Sequence, residues 1–126
     1  CNTEICFNFL ALKVYSDYLL LPEERNGTKH VWFGYPVMVK PSASFTRKEL
    51  VNFLEQKGIE TRPIMAGNMA EQPVMKLFKY RKVGNLKNSK NIMYSALFFG
   101  NHHAIGKAER EYIADCISEF IEQRTK

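Results

Sequence analysis

A two-layer α/β (α+β) sandwich, with a small mixed or antiparallel sheet and helices on one face, is the fold the sequence predicts. Three observations carry it. Apolar spacing alternates along the chain in the order helix, strand, helix, strand, irregular segment, strand, helix. The strands are few and short and long irregular connections separate them, which suits a mixed or antiparallel sheet. The length, 126 residues, gives one domain with a substantial core.

The elements follow in order. Residues 4 to 18 read as a helix, with Ile5, Phe9 and Leu12 at near-helical spacing and Pro22 stopping the segment. Residues 23 to 29 form a polar loop, and Asn26-Gly27-Thr28, although it matches a glycosylation sequon, reads as a turn. Val31 to Lys40 is the best strand, dense in β-branched and aromatic residues. Pro36 within it argues for an edge position or a bulge, because proline cannot donate to a sheet ladder. After the loop Pro41 to Ser44, Thr46 and Glu49 form a capping box. The helix they open buries Leu50, Val51, Phe53 and Leu54, and Gly58 supplies its left-handed stop. Ile59 to Arg62 is a short strand ended by Pro63.

Residues 64 to 91 are irregular, with short helices expected from Pro73 to Phe78 and from about Asn88 to Ser95. Ala96 to Phe99 is a buried strand that Gly100 ends. The last helix is the clearest. Ala108, Tyr112, Ile113, Cys116, Ile117, Phe120 and Ile121 make a stripe at helical spacing, with charges opposite.

Composition excludes several classes. Hydrophobic residues are 45% and charged residues 25%, the balance of a globular domain. No apolar run approaches the roughly 18 residues that span a bilayer, and no secretory signal pattern is present. The chain has 18 Lys+Arg against 13 Asp+Glu, a net charge of +5. Its cations are dispersed, apart from a modest cluster at Lys76, Lys79, Arg81, Lys82, Lys87 and Lys90. No continuous stripe or reader motif for nucleic acid accompanies them, so the cluster is a solvated face or a site for a phosphate-bearing small ligand. Three cysteines without CxxC spacing make a disulfide framework unexpected and a reducing compartment expected, with Cys116 as a core residue.

Two places can carry chemistry. The first is Glu60-Thr61-Arg62-Pro63 and the loop to Gln72-Pro73, a strand end feeding a segment rich in Arg, Asn and Gln. Gly67 permits close backbone approach or positive φ. Arg62 can clamp a phosphate through two N–H groups, or it can sit in a structural ion pair while the loop folds on its own side chains. The second is Asn101-His102-His103. Adjacent imidazoles can bind metal, act as acid and base, or hydrogen-bond a ligand. Neighbours in extended backbone point to opposite faces, so both rarely ligate one ion. One histidine toward a ligand and the other toward core or solvent is the better arrangement, and no metal site is expected. There is no nucleophile elbow, P-loop or dinucleotide fingerprint, so no catalytic residue is assigned.

Several spaced motifs together resemble one family. They are Trp32-Phe33-Gly34-Tyr35-Pro36-Val37, Gly58-Ile59-Glu60-Thr61-Arg62-Pro63, Ala66-Gly67-Asn68, Gln72-Pro73, Tyr80-Arg81-Lys82-Val83-Gly84-Asn85-Leu86 and Phe98-Phe99-Gly100-Asn101-His102-His103. The chain resembles, from about Phe7 to Phe120, the C-terminal domain of the DegT/DnrJ/EryC1/StrS sugar aminotransferases, fold-type I enzymes that use pyridoxal phosphate (PLP). The Thr-Arg-Pro, Ala-Gly-Asn, Gln-Pro pattern is closest to the branch of nucleotide-sugar 3-dehydrases in lipopolysaccharide O-antigen and deoxysugar synthesis.

The resemblance implies a fragment: an entering helix and linker over 1–22 and the small C-terminal domain over 23–126, with the large cofactor-binding domain absent. The opening on Cys1 instead of Met agrees with such a piece. The parent would be a PLP- or pyridoxamine-phosphate-dependent 3-dehydrase or aminotransferase, homodimeric, cytoplasmic and bacterial, without nucleic acid or membrane partners. Its substrate would be a CDP- or GDP-linked 4-keto-6-deoxyhexose. By the same resemblance Arg62, Asn68, His102 and His103 contact the substrate, with Gln72 and Arg81 as weaker contacts. The fragment alone would hold no cofactor, would be inactive and would bind nucleotide sugars weakly or not at all. Family members often carry one His or Tyr near the end of the last strand, and the pair here leaves open which of His102 and His103 faces the cleft. The competing reading is a free-standing nucleotide-sugar-binding or dimerisation module without catalysis.

Overall fold

The computed structural model describes residues 9–125. Four strands form one antiparallel sheet: β1 (Leu19–Leu20), β2 (Gly34–Val39), β3 (Thr61–Pro63) and β4 (Ala96–Gly100). Their spatial order is β1-β2-β4-β3. Three α-helices accompany them: α1 (Arg47–Gln56), α2 (Lys87–Ser95) and α3 (Lys107–Thr125). The two-layer expectation holds, and the sheet is antiparallel throughout.

Strand alternation divides the sheet into two faces. Tyr35, Val37 and Val39 of β2 and Leu97 and Phe99 of β4 are buried. Their register pairs Tyr35 with Phe99 and Val37 with Leu97, so they share one face. Leu50 and Leu54 of α1 and Ile113, Cys116, Ile117, Phe120 and Ile121 of α3 close the core over that face. Phe120 is its hub, its ring 5.0 Å from that of Phe45 and 5.2 Å from that of Phe53. Gly34, Pro36, Phe98 and Arg62 belong to the opposite, more open face.

α1 is built as its sequence dictates. The Glu49 amide donates to the Thr46 hydroxyl, and the Thr46 amide donates to the Glu49 carboxylate at 2.8 Å. Those bonds, with Arg124 at 2.7 Å, hold the Glu49 carboxyl below the usual glutamate value. Gly58 takes φ +77°, and the Ile59 amide donates to the Leu54 carbonyl, closing the helix end. Arg47 donates through Nη1 to the carbonyls of Met93 and Ala96, each at 3.2 Å, and so pins the end of α2 to the start of β4. The sequon is a turn, with the Thr28 amide on the Arg25 carbonyl.

Some boundaries and one helix type depart from the sequence reading. Residues 4 to 8 of the expected first helix, with Ile5, lie outside the described residues, as do Cys1 and Cys6. The described remainder is a 3-10 helix, Phe9–Tyr15, that packs on α3, and Leu19–Leu20 then pairs with β2. Buried Leu12 and the Tyr15 hydroxyl on Glu122 fix that stretch, so tertiary contacts outweigh a single α period. Residues 31 to 33 precede β2, and the third strand runs Thr61–Pro63, not Ile59 to Arg62. Pro36 is accommodated because β1 pairs only with Met38 and Val39, leaving one flank of β2 open beside the proline. The Pro73 helix is a 3-10 turn ending at Leu77. Ala108 and Tyr112 are exposed, so the core stripe of α3 starts at Arg110 and Ile113 instead.

Candidate functional site

At the end of β4 the edge strand β3, the turn after β4 and the first turns of α3 diverge. They leave a groove of about 980 Å³. Arg62, Pro63, Ile64 and Met65 at the end of β3, His102 and Ile105 after β4, Ala108, Glu109 and Tyr112 of α3, and Phe33 and Phe98 are among its lining residues. Phe33 is 78% exposed, its ring 6.0 Å from that of Phe98. The lining is mainly apolar with a few convergent polar groups, the pattern of a small-molecule site.

Arg62 is opposite Phe98 in register, on the open face of the sheet. Its Nε and Nη2 both donate to Glu60 Oε1, at 2.8 and 2.5 Å, and the pair is solvent-exposed. Both readings of Arg62 therefore meet: it is ion-paired, and it also lines the groove with Nη1 free of protein partners among the described residues.

The two histidines separate. His102 lines the groove, and His103, exposed beside it with its ring 5.9 Å away edge-on, does not. The turn beneath them is anchored twice: Asn101 donates to the Trp32 carbonyl at 2.6 Å, and Arg110 to the Ile105 carbonyl at 2.8 Å. Tyr112 donates its hydroxyl to the Lys57 carbonyl at 3.0 Å. A hydrogen bond with Cys116, and then desolvation, raise its pKa above the ordinary 10.0.

The other sequence candidates shape the neighbouring loop. Asn68 is 3% exposed, and its amide donates to Glu71 at 3.2 Å, which also receives Tyr94. Gln72 donates to the Ala66 carbonyl at 2.8 Å. That bond clasps a turn in which Ala66 (φ 60°) and Gly67 (φ 50°) are both left-handed. A Cβ on Gly67 would stand 2.7 Å from that of Met93, so both of its expected uses are real. Arg81 is exposed and outside the groove. The structure thus brings Arg62 and His102 together and leaves Asn68, Gln72, Arg81 and His103 outside the lining.

Sequence reasoning placed Glu60 in the first chemistry-bearing stretch but missed Phe33, Glu109 and Tyr112 as groove residues, and Arg110 as the buried cation under the turn. Arg110 had a signal: it falls three, four and seven residues before Ile113, Ala114 and Ile117, in the apolar register of α3. Among the described residues no group of three or more His, Cys, Asp or Glu side chains is placed to hold a metal ion. No helix there is long and apolar enough to cross a membrane. Cys116 is a free thiol in the core.

The model of the DegT/DnrJ/EryC1/StrS aminotransferase family matches residues 11–118. The lipopolysaccharide biosynthesis protein RfbH of Salmonella typhimurium is 34% identical over 117 residues, 91% of this chain and 27% of its own length. The Escherichia coli GDP-4-keto-6-deoxy-D-mannose-3-dehydratase, solved with bound hydrated PLP, superimposes with a TM-score of 0.79 at 30% identity, over 90% of this chain and 29% of that one. A GDP-4-keto-6-deoxymannose-3-dehydratase variant with bound GDP-perosamine gives 0.73 at 32% identity, over 85% of this chain and 28% of that one. The chain spans a little over a quarter of the length of these relatives.

Proposed function

The chain belongs to the DegT/DnrJ/EryC1/StrS aminotransferase family, and from that premise we propose that it supplies the substrate-side wall of a PLP-dependent nucleotide-sugar 3-dehydrase or aminotransferase. The observation that carries this reading is the convergence of Arg62 and His102, forty residues apart, on one groove beside two aromatic rings. A nucleotide sugar offers matching groups. The diphosphate suits the guanidinium, whose Nε and Nη2 Glu60 holds while Nη1 has no protein partner among the described residues. Hydroxyl or keto oxygens suit His102, and Phe33 and Phe98 offer apolar faces to a sugar or base.

No lysine is among the groove-lining residues, so no reaction step is assigned to this chain. When bound in a complete enzyme, PLP supplies an electron sink for chemistry at the sugar carbons. The work of this chain is to bind, orient and exclude water. Lone addition of stoichiometric PLP and a GDP- or CDP-linked 4-keto-6-deoxyhexose tests that division. The expected result is no borohydride-reducible visible band and no product by chromatography. Turnover by these 126 residues alone overturns it.

A second reading has its own observation. Leu77, Phe78 and Val83 are large, apolar and exposed in the irregular segment before α2. Exposed large apolar side chains in one segment favour burial against a second copy or further polypeptide of the parent. Light scattering on the chain distinguishes a dimer from a monomer.

A further inference from the structure

We propose that the turn after β4 holds His102 in a single neutral tautomer, so that it presents Nε2–H to the groove as a hydrogen-bond donor and not as a base, with Arg110 as the positioning residue. The inference rests on the groove being the nucleotide-sugar site, and it adds a direction to the contact: the ligand atom that meets His102 must be an acceptor.

Three bonds carry it. The Ala104 amide donates to His102 Nδ1 at 3.2 Å. A backbone N–H always gives a proton, so the nitrogen that receives it must be the unprotonated one. In a neutral imidazole the remaining proton then belongs to Nε2. The Ile105 amide donates to the His102 carbonyl at 2.9 Å, which closes the turn around the ring. Finally, Arg110 Nη1 donates to the Ile105 carbonyl at 2.8 Å.

Arg110 is only 6% exposed, on the apolar side of α3. A buried guanidinium is costly unless its donors are used. Its bond to Ile105 ties the turn to α3, while Asn101 ties the other end of the turn to the strand entry at Trp32. The segment that carries His102 is thus moored at both ends. With Nδ1 occupied from within the turn, Nε2 is the ring nitrogen left for a ligand. A phosphate, keto or ether oxygen can accept from it, whereas a group that must lose a proton finds no base there.

Imidazole nitrogen NMR on the chain at alkaline pH, without ligand, reads the tautomer. Free imidazole side chains exchange between both neutral forms, so His103, which has no such bond, serves as the internal reference. His102 should show only the Nε2–H pattern, shifted from the averaged pattern of His103. In Ala104→Pro, which removes the donating amide, His102 should revert to the pattern of His103. In Arg110→Met the same reversion should appear in part, and Arg110→Lys, which keeps one donor, should restore much of the fixed pattern. Identical averaged patterns for His102 and His103 in the unaltered chain, or an Nδ1–H pattern at His102, overturn the proposal whatever the variants do. A fixed pattern that survives in a folded Arg110→Met overturns the role of Arg110. Because no ligand is present, a failed nucleotide-sugar reading leaves the tautomer result intact and is detected separately, by titration.

Discussion

Arg62 and Glu60 sit two residues apart on an exposed strand edge, and one carboxylate oxygen takes two N–H groups of the fork. In water such a pair adds little stability. On the proposed reading its use is geometric: Glu60 holds Nε and Nη2, and Nη1, without a protein partner among the described residues, is available to a ligand anion. Arg62→Ala is therefore expected to change folding stability by less than about 0.5 kcal/mol, as for other surface positions, while removing ligand-induced changes in the groove. Chemical denaturation together with ligand titration checks both halves. Thr46 is the opposite case, a residue whose role is local and structural. Thr46→Ala should cost about 1 kcal/mol in denaturant unfolding. The Glu49 carboxyl is lowered by the backbone and side-chain bonds of Thr46 first and by Arg124 after them. A lowered folded-state value means a stabilising contribution that is present above the ordinary 4.5 and is lost as pH falls through the folded value. Acid unfolding should accordingly begin at higher pH in Thr46→Ala than in the unaltered chain.

At the scale of elements, α3 carries the fold. It meets the 3-10 helix and α1, and it contributes seven buried residues. Phe120→Ala should destabilise by about 3–5 kcal/mol, because a fully buried ring leaves a cavity that its neighbours fill only partly, and urea unfolding measures it. This helix was legible because its apolar stripe is long and regular. The same regularity misled at its first turns. Ala108 and Tyr112 keep the period but line the groove, since no element among the described residues covers the helix there. α1 was legible through chemistry instead: the Thr46/Glu49 box and Gly58 mark its ends. The stretch from Phe9 to Leu20 was not, because a two-residue strand and a 3-10 helix carry almost no periodic signal and depend on contacts with β2 and Glu122.

Across the described molecule, one face of an antiparallel sheet is closed by helices and the other is more open, with the groove at the end of β4. The two-layer architecture could be read from the alternation of periods. The groove could be read only in part. Arg62 and His102 stood out because a guanidinium at a strand end and paired imidazoles after a strand are unusual there. Their meeting depends on β3 and β4 being neighbours, which no local pattern encodes. Asn68 and Gln72 stood out for the same chemical reasons, yet their amides are spent inside the loop on Glu71 and on the Ala66 carbonyl. Phe33, one residue before β2, gave no signal that its ring would lie against Phe98.

The central claim is that this chain is the substrate-side wall of a nucleotide-sugar enzyme, and backbone-amide NMR during titration with GDP and CDP tests it most directly. Weak, millimolar binding is expected, with shift changes confined to Arg62, Phe33, Phe98 and the His102 turn and absent in Arg62→Ala. Changes centred on Lys76 to Lys90, or micromolar binding typical of a self-sufficient module, would contradict it.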